Sequence, residues 1–485
     1  MRHTLIALLC GLSLHSYSQI HLQLHFSASS QQEVTGKFYL FTQSDTSKRI
    51  PNNPDPAQAF FVWEISKGQS GIQLNSDNAA QRYLPNGSKL SAGYYKVAGM
   101  LDRDFEERGL NNTGNLFSPK ESLLYIDNEG RGELSIDLNA AIPERKFREQ
   151  PLLKEVVYKS ELLSDFRSKS IFMKAAVRLP ASYYQDSNKI YPVVFVIPGW
   201  GGTHFDLQGA MPVKRYGMDQ GKEKIYVYLN PETQSPFGLH AFVDSRVNGP
   251  WGKAFVKELI PYLQKQYRIN PSPQQHFLVG QSTGGYGVLW LQLHYPEAFG
   301  GCWSVSPDPI DFSAFMGVDL YAPDANLFTD ADGKDRGTFF VGGKPMLTIR
   351  NMVKMESAIG DGEQLQAFEA EFGVLDGNGR PKQLFDHTTG NIDPTTVKAW
   401  SAYDLAKYVV KQRKQLAKQV MGKIHVYAGD KDNFLLHEAV TAFGKKAQAA
   451  GVAVKAELIA SADHWSIWSP AFTKRVQEEI DASIQ

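Results

Sequence analysis

Phe277-Leu278-Val279-Gly280-Gln281-Ser282-Thr283-Gly284-Gly285 decides how the rest of the chain is read. Three apolar residues make a short buried strand, Gly280-Gln281-Ser282-Thr283-Gly284 fits G-x-S-x-G, and Gly285–Leu293 follows as a helix-compatible run. The five-residue pattern alone is weak. A strand before it and a helix after it turn it into the strand–turn–helix of a nucleophile elbow. The flanking glycines tolerate a turn sharp enough to force Ser282 into strained backbone with Oγ exposed. A neutral hydroxyl attacks poorly, so a neighbouring base has to take its proton.

The partners of an elbow serine follow in the order Ser, acid, His. Ile424-His425-Val426-Tyr427-Ala428 reads as a strand, and Gly429-Asp430-Lys431-Asp432 puts carboxylates at its C-terminal end. Asp432, deeper in the loop, is favoured as the acid over Asp430. Ala456–Ile459 is a further strand leading into Ser461-Ala462-Asp463-His464-Trp465. His464 is the only histidine after Asp432 in such a loop, because His437 follows too closely and has a helical setting. The predicted triad is Ser282, Asp432 and His464.

An oxyanion needs N–H donors aimed at the charge as it develops. Thr283, just after the nucleophile, is expected to give one. Trp200, in Pro198-Gly199-Trp200-Gly201-Gly202 at the end of an apolar strand, is expected to give the other. Gly201, Gln281, Trp465, and His240 and Trp251 at the two ends of one loop are the candidates for substrate contact. No P-loop or dinucleotide fingerprint occurs, and no cofactor or metal is expected.

Outward from the elbow the chain has two grammars. After a linker around Pro143–Leu153 come continuous apolar runs, Val193–Ile197 and Ile225–Leu229, with a helix predicted over Pro250–Tyr267. Asn248-Gly249-Pro250 reads as its cap with proline in the first turn. Buried strands alternating with helices predict an α/β fold on a parallel sheet, over about residues 155–485. The stretch of about 310–415 is far longer than a crossover needs and is predicted to be an inserted cap over the C-terminal edge of the sheet. Before the linker, Ile20, Leu22, Leu24 and Phe26 alternate with polar residues. Similar runs at Lys37–Thr42, Phe60–Ile65, Tyr94–Met100, Ser122–Ile126 and Glu133–Leu138 are separated by turns such as Asn52-Asn53-Pro54, Pro85-Asn86-Gly87 and Asn128-Glu129-Gly130. This predicts an all-β sandwich over residues 20–145.

Arg2 and His3, the apolar run Leu5–Leu12 and the small residues Ser16 and Ser18 read as a secretory signal over residues 1–18. A secreted or periplasmic protein is expected, with no stable membrane insertion. Lys plus Arg and Asp plus Glu both total 51, giving a net charge of +0. That balance argues against a nucleic-acid partner, which calls for a basic excess. Hydrophobic residues at 42% and charged residues at 21% exclude disorder and coiled coil for the chain as a whole. One of two cysteines leaves with the signal, so Cys302, in an apolar strand, is expected to be a buried inert thiol. Oligomeric state is not encoded in any of these patterns.

The chain resembles the putative-esterase branch of the α/β-hydrolase superfamily, the enterochelin-esterase-like and feruloyl-esterase-like proteins. The likeness rests on Pro198–Gly202, Asp244-Ser245-Arg246-Val247-Asn248-Gly249-Pro250-Trp251, the Ser282 elbow, Trp303–Phe312 (WSVSPDPIDF) and Gly429–Asp432. It implies that Ser282, Asp432 and His464 are nucleophile, acid and base, and that a β-sandwich stands before the catalytic domain. Two features depart from it: Ala462-Asp463-His464 stands where relatives often have Gly-Gly-His, and the insertion is unusually large. The resemblance implies a serine carboxylic-ester hydrolase acting on an acyl, feruloyl or siderophore-type ester, small or glycan-linked. A serine amidase or peptidase on the same residues, and a catalytically dead binding protein, are the alternatives.

Overall fold

Val193–Ile197 and Ile225–Leu229 are buried at every position, as strands must be when helices cover both faces of a sheet. The computed structural model describes residues 19–26, 34–50, 54–68, 72–85 and 89–484. The signal read at 1–18 and most of the turns at Asn52–Pro54 and Pro85–Gly87 lie outside the described residues. Eight strands form the central sheet: β1 Leu153–Ser160, β2 Ile171–Arg178, β3 Val193–Ile197, β4 Ile225–Leu229, β5 His276–Ser282, β6 Gly301–Pro307, β7 Ile424–Gly429 and β8 Lys455–Ile459. Their spatial order is β1-β2-β4-β3-β5-β6-β7-β8.

The sheet is mixed rather than all parallel. β1 pairs antiparallel with β2, and β2 antiparallel with β4, while β4 through β8 run parallel. Side chains alternate across it. Val193, Phe195, Ile197, Val227 and Leu229 enter one apolar cluster. Val194, Val196, Tyr226 and Tyr228 enter the other. The first cluster also takes residues from the helices α1 Thr283–His294 and, further on, Leu436–Ala449. The second takes Phe472, Val476 and Ile480 from the helix Pro470–Ser483.

The helix predicted over Pro250–Tyr267 is built in three pieces: Trp251–Ala254, a π-helical turn at Phe255–Leu259, and Ile260–Gln266. Its cap differs from the prediction. Pro250 itself is the cap residue, with no side-chain cap bond. Asn248 stands two residues before it, fully buried, with its amide donated to the Leu239 carbonyl at 3.0 Å and its Oδ1 accepting no helix N–H.

Between β6 and β7 lie a hairpin, Gly337–Val341 with Lys344–Thr348, and several helices, among them α2 Ile349–Ile359 and α3 Gln364–Phe372. Phe312, Phe315, Phe368, Phe372 and Trp400 from this segment belong to the first apolar cluster. Beyond it, α4 Leu436–Ala449 follows β7 and α5 Pro470–Ser483 follows β8. No helix among the described residues is long and apolar enough to cross a membrane.

The chain divides into two compact units. Of the described residues, one comprises those up to Asp104, Leu110–Glu144 and Ser357–Ile359, and the other Phe105–Gly109, Arg145–Glu356 and those from Gly360 on. Among its described residues the first holds a three-stranded and a seven-stranded sheet. Ile20, Leu22, Leu24 and Ile136 of the smaller sheet share one apolar core with Phe38, Leu40, Phe61, Val97 and Leu124 of the larger.

Candidate active site

Ser282 ends β5 and stands immediately before α1, with φ 57° and ψ −124°. A side chain at positive φ is strained, and the surroundings must hold it there. They do so by close approach. A Cβ on Gly284 would overlap the Ile197 carbonyl oxygen, and one on Gly280 would overlap the Gly284 carbonyl oxygen. Only glycine lets β3, β5 and α1 meet this closely.

Asp432, in the loop after β7, is 2% exposed, and its Oδ2 lies 2.8 Å from Nδ1 of His464 in the loop after β8. Asp432 Oδ1 accepts the Phe434 N–H at 2.9 Å, so both carboxylate oxygens are fixed. Asp430 is exposed at the loop surface. His464 is 4% exposed, donates its main-chain N–H to Asn433 Oδ1 at 3.0 Å, and meets the Phe434 ring edge-on at 4.9 Å. Ser282 and His464 line one cavity of about 440 Å³ with Gly199, Trp200, Gly201, Arg215, Gln364, Phe434 and Trp465. A larger hollow of about 660 Å³, lined by Tyr321, Lys398 and Lys407, shares no residue with it.

A family model described as "Putative esterase" matches residues 171–478, more than half of the chain and every strand of the sheet from β2 to β8. The chain belongs to the esterase family. No curated protein matches this esterase. Solved structures similar to it include a ferulic acid esterase, 15% identical with a TM-score of 0.42, covering 70% of this chain and 100% of that one. An S-formylglutathione hydrolase from Agrobacterium tumefaciens is 15% identical, with a TM-score of 0.40 and coverage of 69% and 96%. A ferulic acid esterase from Anaeromyces mucronatus, in complex with ferulic acid, is 14% identical, with a TM-score of 0.35 and coverage of 70% and 94%. The esterase has the α/β-hydrolase fold.

Of the two expected oxyanion donors, Thr283 directly follows Ser282 and Trp200 lines the same cavity. Thr283, as the first residue of α1, belongs to the turn whose N–H groups have no acceptor within the helix. No main-chain carbonyl accepts the Trp200 N–H among the described residues. The Gly199 backbone faces Ser282, since a Cβ there would stand 3.2 Å from the Ser282 Cβ. The Trp200 ring lies under the Arg108 guanidinium at 4.2 Å.

The five expected substrate-contact residues separate. Gly201 and Trp465 line the cavity, and Trp465 is 51% exposed. Gln281 also lines it, but its amide is occupied: Nε2 donates to the His464 carbonyl at 2.5 Å and Oε1 accepts from Trp468 Nε1 at 2.9 Å. It therefore fastens the histidine loop. His240 and Trp251 do not reach the cavity. Their rings stack at 3.6 Å in the core, both essentially unexposed, and burial holds His240 well below the ordinary histidine pKa. Cys302 is fully buried, and burial pushes its thiol up to about 12. His21 and His25 have His-x-x-x-His spacing, but on the strand Gln19–Phe26 four residues span about 13 Å, too far to share one metal ion.

Arg215, Gln364 and Phe434 of the cavity wall escaped the sequence reading, and so did two residues that fasten the site. Asn433 joins the histidine loop to the hairpin between β6 and β7. Its Oδ1 accepts from His464, its Nδ2 donates to the Phe340 carbonyl at 2.6 Å, and its own carbonyl accepts the Phe340 N–H at 2.9 Å. Asp308, just past β6, contacts Ser282 Oγ at 3.2 Å and Thr283 Oγ1 at 2.7 Å. Among the described residues Ser282 Oγ makes no hydrogen bond to His464. Serine–histidine contacts of this kind are commonly long until substrate is bound.

Proposed function

We propose that this esterase is an exported serine carboxylic-ester hydrolase that works through an acyl-enzyme. The observation that carries the reading is the meeting, in one cavity, of an elbow serine at φ 57° with a histidine bonded at 2.8 Å to a buried aspartate. His464 takes the Ser282 hydroxyl proton as Oγ attacks the ester carbonyl carbon. The carbonyl oxygen becomes the oxyanion, facing the N–H groups of Thr283 and Trp200. As the tetrahedral intermediate collapses, the bond to the alkoxy oxygen breaks and His464 returns the proton to it, releasing the alcohol. Water then repeats the sequence at the acyl-enzyme and frees the acid. Asp432 orients His464 and stabilises the imidazolium without taking its proton.

In this reading the segment between β6 and β7 is a cap. Its Gln364 lines the cavity, and Phe339 of its hairpin packs on Phe434 and Trp465 at 5.6 and 5.9 Å. The N-terminal unit, whose two sheets share a core, is read as a β-sandwich accessory domain. Acyl or feruloyl groups on polysaccharide, or a siderophore-type ester, are the substrate classes proposed. The test is hydrolysis of a short p-nitrophenyl acyl ester and of methyl ferulate by wild type and Ser282→Ala, both checked by melting. Turnover by the wild type with a folded, silent mutant is expected. Equal turnover by the two proteins removes Ser282 from the mechanism.

A further inference from the structure

Ser282 Oγ is held in the free protein by a carboxylate that the Ser–acid–His order has no place for. Asp308 is 3% exposed and follows directly on β6, the strand beside the nucleophile strand, where the β5–β6 register shifts between Gln281 and Ser282. Three bonds fasten it to the elbow. Its main-chain N–H donates to the Ser282 carbonyl at 3.1 Å, its Oδ1 faces the Ser282 hydroxyl at 3.2 Å, and its Oδ2 accepts the Thr283 hydroxyl at 2.7 Å. His464 and Asp432 face it from the loops after β8 and β7, Glu371 from α3 and Tyr286 from α1. Burial pushes its carboxyl up to about 6, against the pull of the two hydroxyls, so above neutrality it is an anion that can only accept.

We propose that Asp308 is a positioning residue, a competing acceptor that holds the Ser282 hydroxyl off His464 until substrate is bound. The proposal rests on Ser282 being the nucleophile. A hydroxyl donated to an ionised acceptor is bound more strongly than one donated to a neutral imidazole. While it points at Asp308 it cannot pass its proton to His464. No proton leaves Ser282 in this state, and the nucleophile becomes reactive by exchanging one acceptor for the other.

The test compares wild type, Asp308→Asn and Asp308→Ala at pH 8, where an ordinary histidine is neutral. The readout is the rate of labelling of Ser282 by a fluorophosphonate, with melting curves alongside. The expected order is Ala fastest, Asn intermediate and wild type slowest, with Ala about tenfold above wild type, the loss of one charge-assisted hydrogen bond. On a p-nitrophenyl ester the gain falls on KM, which drops with kcat little changed because the exchange of acceptor is completed as substrate binds, and a merely structural role for Asp308 does not produce such a gain. A wild type left unlabelled while both variants label is the extreme form of the same result. Folded variants that label no faster than wild type overturn the proposal and leave Ser282 as nucleophile. Failure of all three to label Ser282 overturns the nucleophile reading itself. Should neither variant fold, Ser282→Ala carries the test: loss of the donating hydroxyl raises the pH at which Asp308 titrates by carboxyl NMR, and an unchanged titration overturns the proposal.

Discussion

Asp430 and Asp432 stand two residues apart in one loop and have opposite surroundings. Asp432 is buried with Oδ2 on His464 Nδ1 and Oδ1 on the Phe434 N–H, while Asp430 is exposed. In Asp432→Asn a side-chain amide can face Nδ1 and favour the wrong imidazole tautomer, leaving Nε2 unable to take the serine proton. We expect kcat to fall about 10³–10⁴-fold with melting little changed, and Asp430→Asn to stay within about twofold, as an exposed substitution does. A kcat for Asp430→Asn as low as that of Asp432→Asn would remove Asp432 from the acid's role. The two carboxylates could be ranked from sequence because a residue deeper in a strand-end loop tends to turn inward. Asp308 could not be assigned, although WSVSPDPIDF was in view. Its contact with Ser282 comes from a register shift between two strands, which no spacing along the chain encodes. His240 and Trp251 failed for a related reason. An aromatic in a loop looks like a pocket wall, and only tertiary packing shows that these two stack on each other.

The elements that read most cleanly are those with one physical solution. Val193–Ile197 and Ile225–Leu229 are strands at the predicted residues, and Ile20, Leu22, Leu24 and Phe26 alternate as predicted on the strand Gln19–Phe26. A run of β-branched and aromatic residues buried on both faces, or a strict alternation, leaves little choice. β1 and β2 were not read as strands. LKEVVYKS, the edge strand, and IFMKAAVR, paired between it and β4, mix charge into short apolar runs. Their antiparallel pairing is also why the sheet is not wholly parallel. The elbow is the strictest element of all. Gly284→Ala places a methyl group on the Ile197 carbonyl oxygen, which lies in the backbone of β3 and cannot swing aside. We expect a loss of more than about 4 kcal/mol, in the range reserved for overpacking and backbone conflict, seen as absence of a cooperative melt. A folded Gly284→Ala protein with wild-type melting would mean that β3, β5 and α1 do not meet as closely as described.

Across the larger unit, two sets of buried groups pull stability in opposite directions with pH. His204, His240, His276, His294 and His425 are all held below the ordinary histidine value by burial, His294 at about 4. A depressed histidine binds its proton less tightly folded than unfolded. Its contribution is whole above about pH 6.5 and is lost as pH falls toward the folded value. Glu356 and Glu371 are pushed well above the ordinary carboxyl value by burial, and Glu232, Glu363, Glu369 and Asp404 are raised in the same way. A raised carboxyl binds its proton more tightly folded, so its contribution is lost as pH rises from about 4 through the folded value. The two sets together place the stability maximum between these limits, on the acid side of neutrality. One substitution from each set separates them. Glu371, whose Oε1 has no hydrogen-bond partner, becomes Gln, and Glu371→Gln is expected to raise the melting temperature more at pH 8 than at pH 5. His294, stacked between Trp290 and Tyr408 at 4.0 and 4.1 Å, becomes Gln at some cost in packing. Relative to wild type, His294→Gln is expected to gain up to about 2 kcal/mol on going from pH 8 to pH 5. Melting curves of three proteins at two pH values decide it. If the two variants shift in the same sense between pH 5 and pH 8, the histidines and carboxyls do not oppose each other, and burial is not what sets the pH response of this fold.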